Sequence, residues 1–286
     1  MKRNRLAAVL LVPAAMVAML AACSDPTAAP PTDEECVPAH DITTIEEGYL
    51  TVAHFPNPPF ADSEGDALTG AEGEILTRIA EMECLQIKIV PGNVAAMIPS
   101  VESGRADTTL GSWYRTEERS KIVLLSDPVI TVQLAIASMK GSGIEQVQDL
   151  KGHLVGSTIG SLWVDDVQAL IGDDQKLYET LEASYADLAA GRIEAIINSE
   201  PTAIRQIQLA GLEDQVEVHI PAPDDAVAAT AAPGQTNFPV SKDNPGLQSA
   251  INDNLATLRE AGEVGDIFEK YGISRSSDVA EPYSTF

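Results

Sequence analysis

Ser103-Gly104-Arg105-Ala106-Asp107-Thr108-Thr109-Leu110 joins the end of one element to the start of the next. Val94 to Ser103 reads as a helix, Gly104 stops it, and Thr108-Thr109-Leu110 reads as a short strand. Upstream, Tyr49-Leu50-Thr51-Val52-Ala53 is a short apolar strand. Glu74 to Glu83 carries Ile75, Leu76, Ile79 and Met82 at helical spacing, and Gln86-Ile87-Lys88-Ile89-Val90 alternates as a strand. This βαβα rhythm predicts a mainly parallel sheet with helices on both faces. The order then recurs: a strand at Leu154-Val155-Gly156, helices over Trp163–Ile171 and Ala183–Ala190, and a strand over Ile193–Ile197. Ala190-Gly191-Arg192-Ile193-Glu194 repeats the first junction as helix end, Gly-Arg, apolar residue, acid, strand. An echo set in matching element order predicts an α/β protein of two similar lobes. After Asn244 come two amphipathic helices, one bearing Leu247, Ile251, Leu255 and Leu258, the other Val264, Ile267, Phe268 and Tyr271.

The chain begins with Lys2, Arg3 and Arg5, an apolar run from Leu6 to Leu20, and then Leu20-Ala21-Ala22-Cys23. The run is too short and wrongly flanked for a spanning helix and reads as a secretory signal over 1–22. Its ending resembles the lipobox of bacterial lipoproteins, which implies cleavage before Cys23 and acylation of its sulfur. An ordinary cleaved signal with an incidental cysteine is the alternative. Residues 23–44, with Ser24 to Thr32 rich in Pro and Ala, read as a flexible tether. The location expected is extracytoplasmic, at the cell membrane through lipid alone. Cys36 and Cys84 are left in an oxidising compartment, each preceding one of two strands that could lie side by side, and are a candidate disulfide.

The formal net charge is −25, and the three basic residues of the leader do not offset it in the body. Such a surface repels phosphate backbones, which argues against nucleic acid as a partner. None of His40, His54, His153 and His219 has the spacing of a zinc motif, so no metal is expected, and no Gly-rich phosphate loop implies a nucleotide cofactor. Gly156-Ser157-Thr158-Ile159-Gly160 misses a nucleophile elbow by its central Thr and reads better as a tight loop with N–H groups facing a ligand. The richest stretch is Gly111-Ser112-Trp113-Tyr114-Arg115-Thr116-Glu117-Glu118-Arg119. Thr116 can cap a helix with Glu117 and Glu118 in its first turn, which puts Arg119 at the C-terminal end of a strand, where open α/β sheets bind ligands. Its guanidinium is placed either to clamp a carboxylate or to pair with a nearby surface acid.

Taken in order, Pro58-Pro59-Phe60, Gly70-Ala71-Glu72-Gly73-Glu74-Ile75-Leu76, Ile98 to Asp107, Thr116-Glu117-Glu118-Arg119, Ser126-Asp127-Pro128, Asp149-Leu150-Lys151-Gly152, Gly191 to Ala195 and Asn244-Pro245 carry a resemblance. Over about residues 45–274 the chain resembles the polar amino-acid-binding proteins of ABC importers, the family 3 solute-binding proteins. The resemblance implies a two-lobed periplasmic-binding-protein-like fold of type II. Lobe 1 would hold 45–132 and 239–286, lobe 2 would hold 133–238, and crossovers would lie near Thr131–Ala135 and Thr236–Val240. A solute would bind between the lobes without being transformed, and permease subunits would recognise the closed form of a monomer.

Carried over residue by residue, Arg119 matches the carboxylate-binding arginine. Ser112 and Tyr114 fall at hydroxyl or backbone contacts, and Phe60 in a segment that shapes the cleft. His54 stands where many members have Asp, and Asn57 where many have a stacking aromatic. Gly160-Ser161-Leu162 matches Gly-Thr-Thr with one hydroxyl lost at Leu162, and Ser199 replaces the Asp that usually holds the ammonium. The anion clamp is kept while the usual cation-holding acids are gone, so either Glu200 or another acid substitutes or the ligand is not a standard α-amino acid. Trp113, Tyr114 and Trp163 belong to core or cleft wall, or else stack on a ring or a quaternary ammonium. Two rival functions are a dehydratase-like enzyme on the same scaffold, with His54 or Glu200 moving a proton, and a ligand-sensing lipoprotein.

Overall fold

A computed structural model describes residues 36–279 and 283–285. The signal, Cys23 and the first part of the expected tether lie outside the described residues.

The first half contains β1 (Tyr49–His54), the hairpin β2 (Asp62–Glu64) and β3 (Ala67–Thr69), α1 (Ala71–Met82), β4 (Gln86–Pro91), α2 (Val94–Glu102), β5 (Thr108–Thr109), β6 (Trp113–Tyr114), α3 (Glu117–Ile122) and β7 (Val123–Leu125). Then come β8 (Thr131–Val132), β9 (Leu134–Met139), β10 (Val155–Thr158), α4 (Val164–Ile171), β11 (Gln175–Tyr178), α5 (Leu181–Ala189), β12 (Ala195–Ser199), α6 (Glu200–Ala210) and β13 (Val216–His219). The chain closes with β14 (Gly234–Asn237), β15 (Pro239–Ser241), α7 (Pro245–Glu260) and α8 (Glu263–Lys270).

Two five-stranded sheets result, ordered β4-β1-β5-β15-β7 and β11-β10-β12-β9-β13. In each, parallel pairs β1–β4 and β1–β5, or β10–β11 and β10–β12, adjoin one strand antiparallel to both its neighbours. That reversed strand, β15 or β9, is in each sheet the one that continues a crossover, because a chain arriving from the other lobe enters from the opposite end. The crossovers themselves, β8 and β14, pair antiparallel, and β14 also pairs with β6.

Side-chain alternation along the strands puts a core on each sheet face. In the first sheet Leu50 and Val52 pack with Ile75, Leu76, Ile251 and Phe268 from α1, α7 and α8, while Ala53 packs with Met97 and Val101 of α2. In the second, Ile196 meets Tyr185, Leu188 and Ile207 of α5 and α6, and Ile197 lies on the face with Val167 and Ile171 of α4. Helices cover both faces, as the apolar spacing predicts.

The repeated junction has one physical cause. Gly104 and Gly191 end α2 and α5 with φ of 69° and 67°. The acid that follows then pins the start of the neighbouring parallel strand. Asp107 accepts from the Thr51 N–H at 2.8 Å and the Ile45 N–H at 2.9 Å, and Glu194 accepts from the Leu154 N–H at 3.1 Å.

Two expectations need correction. Helix α1 starts at Ala71, three residues before the predicted Glu74. No side chain caps it. The carbonyls of Pro59 and Phe60 instead accept from Ala71 and Glu72 at 2.9 Å each, a long-range cap invisible in local sequence. The tether does not extend to residue 44. Cys36 and Cys84 are bridged. His40 binds Glu83 through its Nδ1 at 2.6 Å and its backbone N–H at 2.9 Å, and Asn244 donates to the Thr43 carbonyl at 2.7 Å. Residues 36–44 are thereby fastened to the first lobe.

Candidate functional site

β5 ends at Thr109, and the chain turns through Gly111 and Ser112 with φ of 122° and 63° before β6. Two successive residues in left-handed territory need support, Ser112 above all. Glu72, fully buried in the first turn of α1, supplies it. Its Oε2 accepts from the Gly111 and Ser112 N–H groups at 2.8 Å each, and its Oε1 accepts from the Thr236 hydroxyl on β14 at 2.8 Å. Burial pushes the Glu72 carboxyl above its ordinary range, against the pull of these donors. One carboxylate thus ties the turn to a crossover strand.

As predicted, Thr116 caps α3, accepting from the Arg119 N–H at 3.1 Å. The cap places Arg119 one turn into the helix, from where its side chain folds back. Nη1 donates to the Tyr114 carbonyl at 2.7 Å, and Nη2 reaches the Gly160 carbonyl of the second lobe at 3.3 Å. The guanidinium carbon lies 4.9 Å from the centroid of the Trp113 ring. Among the described residues no carboxylate pairs with it. Desolvation lowers its pKa to about 10, so it stays cationic at neutral pH.

The second lobe contributes the C-terminal end of β10 at Thr158, the loop Gly160-Ser161-Leu162, Trp163 at the start of α4, and Asn198-Ser199 at the end of β12. Contacts cross between the lobes. Tyr114 meets Trp163 edge-on at 6.1 Å, and Thr202 donates to Asn57 Oδ1 at 3.2 Å. Between them lies a cleft of about 490 Å³ counting its open mouth.

Asn57, Ser112, Trp113, Tyr114, Arg119, Ser161, Leu162, Trp163 and Ser199 all line this cleft, whereas His54 and Phe60 do not. His54 is the last residue of β1. Strand alternation turns it away from the cleft to face Asp62, and burial lowers its pKa against that carboxylate's pull. The next residue, Phe55, takes the cleft side and packs edge-on against Trp113 at 5.8 Å. Phe60 is fully buried in the first lobe's core, where only its carbonyl serves, as the cap of α1. Glu200 borders a separate outer groove with Pro59, Arg205 and Tyr271.

Sequence reasoning did not single out Phe55, Asn198 or Glu72. Asn198 had a legible signal, since it sits at the carboxyl end of a strand, where such sheets present ligand contacts. Glu72 had none, because its partners are far along the chain.

A sequence profile of the bacterial extracellular solute-binding proteins, family 3, matches residues 50–274. The probable amino-acid-binding protein YxeM of Bacillus subtilis (strain 168) is 27% identical over 268 residues, 92% of this chain and 93% of the relative. The L-cystine-binding protein TcyJ of Escherichia coli (strain K12) is 25% identical over 221 residues, 75% of this chain and 78% of its own. Among solved structures, an ancestral arginine-binding protein bound to arginine superposes with a TM-score of 0.70 at 26% identity, covering 79% of this chain and 98% of the other. The fold is the two-lobed periplasmic-binding fold of type II. With two sheets facing one cleft and a profile match across nearly the whole described body, the chain belongs to the family 3 bacterial extracellular solute-binding proteins.

Proposed function

We propose that this protein captures a small, carboxylate-bearing, amino-acid-like solute between its lobes and presents it to the permease subunits of an ABC importer. It acts outside the cytoplasm as a monomer, held to the membrane by lipid on Cys23, with residues 45–132 and 239–286 forming one lobe and 133–238 the other. The observation that carries this reading is Arg119. A guanidinium at the wall of an interlobe cleft, with no carboxylate of the described residues against it, is matched in charge and geometry by a ligand carboxylate. Because the same side chain already spans to Gly160, an anion that it grips also draws on the second lobe, and so favours closure. Ser112 and Ser161 offer hydroxyls from opposite lobes. The dehydratase-like alternative gains nothing here, since neither His54 nor Glu200 lines the cleft.

A thermal-shift screen over amino acids, betaines and small carboxylates identifies the ligand by mass action. Titration calorimetry of Arg119→Ala against the strongest hit then tests the clamp. Truncating one partner of a buried charge pair costs about 2–5 kcal/mol, a loss of some 30-fold or more in affinity. An unchanged affinity refutes the assignment.

A further inference from the structure

We infer that, apart from the carboxylate gripped by Arg119, the ligand carries hydrogen-bond acceptors, as an acylated nitrogen, an amide or a second acid group does, and no free ammonium. The inference rests on the proposed grip of Arg119 and adds what the remainder of the cleft selects. Among the described residues no Asp or Glu lines that cleft. Glu72 stands behind Gly111 and Ser112 with its oxygens held by them and by Thr236, Glu200 borders an outer groove, and Glu179 and Glu182 border a neighbouring one beyond Phe55 and Val94.

The cleft's two asparagine side-chain oxygens and the Gly111 and Gly160 carbonyls already accept hydrogen bonds within the protein. Asn57 Oδ1 accepts from Thr202 at 3.2 Å, and the Gly111 carbonyl from Asn57 Nδ2 at 2.9 Å. The Gly160 carbonyl accepts from Arg119 at 3.3 Å, and Asn198 Oδ1 from the Ser199 N–H at 2.8 Å. That last bond fixes the orientation of the Asn198 amide and leaves its NH₂ as the unspent end.

Donors are what the wall leaves over. Among the described residues Asn198 Nδ2 and Trp163 Nε1, which only donate, have no hydrogen-bond partner, although Asn198 and Trp163 are only 8% and 3% exposed. A buried donor left unmade is costly, and an ammonium, which only donates, cannot satisfy it. An ammonium brought here would itself be buried without an acid to meet it. A carbonyl or carboxylate oxygen satisfies both requirements. Asn198 and Trp163 then discriminate by the same logic as any site built to hydrogen-bond a particular group.

The test is titration calorimetry on the full chain with four probes: L-glutamine, N-acetyl-L-glutamine, glutarate, and glycine betaine. N-acetyl-L-glutamine or glutarate is expected to bind at least tenfold tighter than both L-glutamine and glycine betaine. Asn198→Asp keeps the acceptor for the Ser199 N–H and should move the ranking at least tenfold toward L-glutamine. The wild-type ranking decides the matter even where that variant folds poorly. L-Glutamine or glycine betaine binding tightest overturns the inference, as does failure of all four at millimolar concentration. Arg119→Ala separates the two levels. If it abolishes binding of a tightest-bound L-glutamine, the carboxylate grip stands and the exclusion of a free ammonium falls. If it leaves the tightest probe unaffected, both fall.

Discussion

Removing the Glu72 side chain offers the sharpest test of how this site is built. The carboxylate is fully buried and accepts three bonds of 2.8 Å, from Gly111, Ser112 and Thr236. Glu72→Ala strands two backbone donors and one hydroxyl in the interior, and an unsatisfied buried group costs about 1–3 kcal/mol. Against this, the variant no longer confines a desolvated carboxylate, whose cost is visible in its raised pKa. The balance is a loss of about 3–5 kcal/mol, the scale seen when one member of a buried polar network is deleted. Such a loss is a large fraction of the stability of an ordinary domain. Glu72→Gln has the same shape. Its oxygen still accepts from Gly111 and Ser112, and its NH₂ donates to Thr236, so about 1 kcal/mol is expected. The assay is equilibrium urea denaturation of the ligand-free protein, compared at constant slope so that midpoints report stability. The Ala variant should also bind ligand more weakly than its remaining folded fraction explains, because Ser112 relaxes from φ 63° and takes the Trp113–Tyr114 strand with it. An Ala variant within about 1 kcal/mol of wild type refutes the reasoning, and so does a Gln variant as damaged as Ala.

Two further perturbations probe the frame around the cleft. His40 has its pKa raised chiefly by the hydrogen bond to Glu83, with Asp253 also facing it. A raised folded pKa means stability that is present below 6.5 and disappears as pH rises through the folded value, so the gap in Tm between wild type and His40→Ala should shrink from pH 5.5 to pH 8.5; a gap that does not move would contradict the pairing. Gly234 lies under the Tyr114 ring, and a Cβ there would fall 1.7 Å from Tyr114 Cε1. Gly234→Ala should therefore cost about 1–3 kcal/mol through overpacking and should weaken ligand binding by pushing the ring into the cleft; thermal melts and titration both at wild-type values would show the ring to be free to move elsewhere.

Local chemistry was enough to read much of this protein. Alternation and helical spacing depend on residues a few positions apart, and so do the Thr116 cap and the Gly-Arg-apolar-acid junctions. From these the two-lobed α/β fold and the address of Arg119 follow. The buried face of the first C-terminal helix was also legible, since Leu247, Ile251 and Leu255 form one apolar stripe and lie buried together. The resemblance added most of the cleft-lining residues, because aligned positions inherit their place in the fold.

What only the folded chain decided depends on contacts far apart in sequence or on which side of an element faces the gap. Glu72 meets Gly111, Ser112 and Thr236 across 39, 40 and 164 residues. A single-position difference at the end of β1 sends Phe55 to the cleft and His54 away from it, since neighbouring strand residues face opposite sides. The cap of α1 comes from the backbone of Pro59 and Phe60, and backbone carbonyls leave no mark in side-chain spacing. Periodicity records which faces are apolar. Which polar groups meet across the gap is set by how the lobes pack, and that is decided in three dimensions.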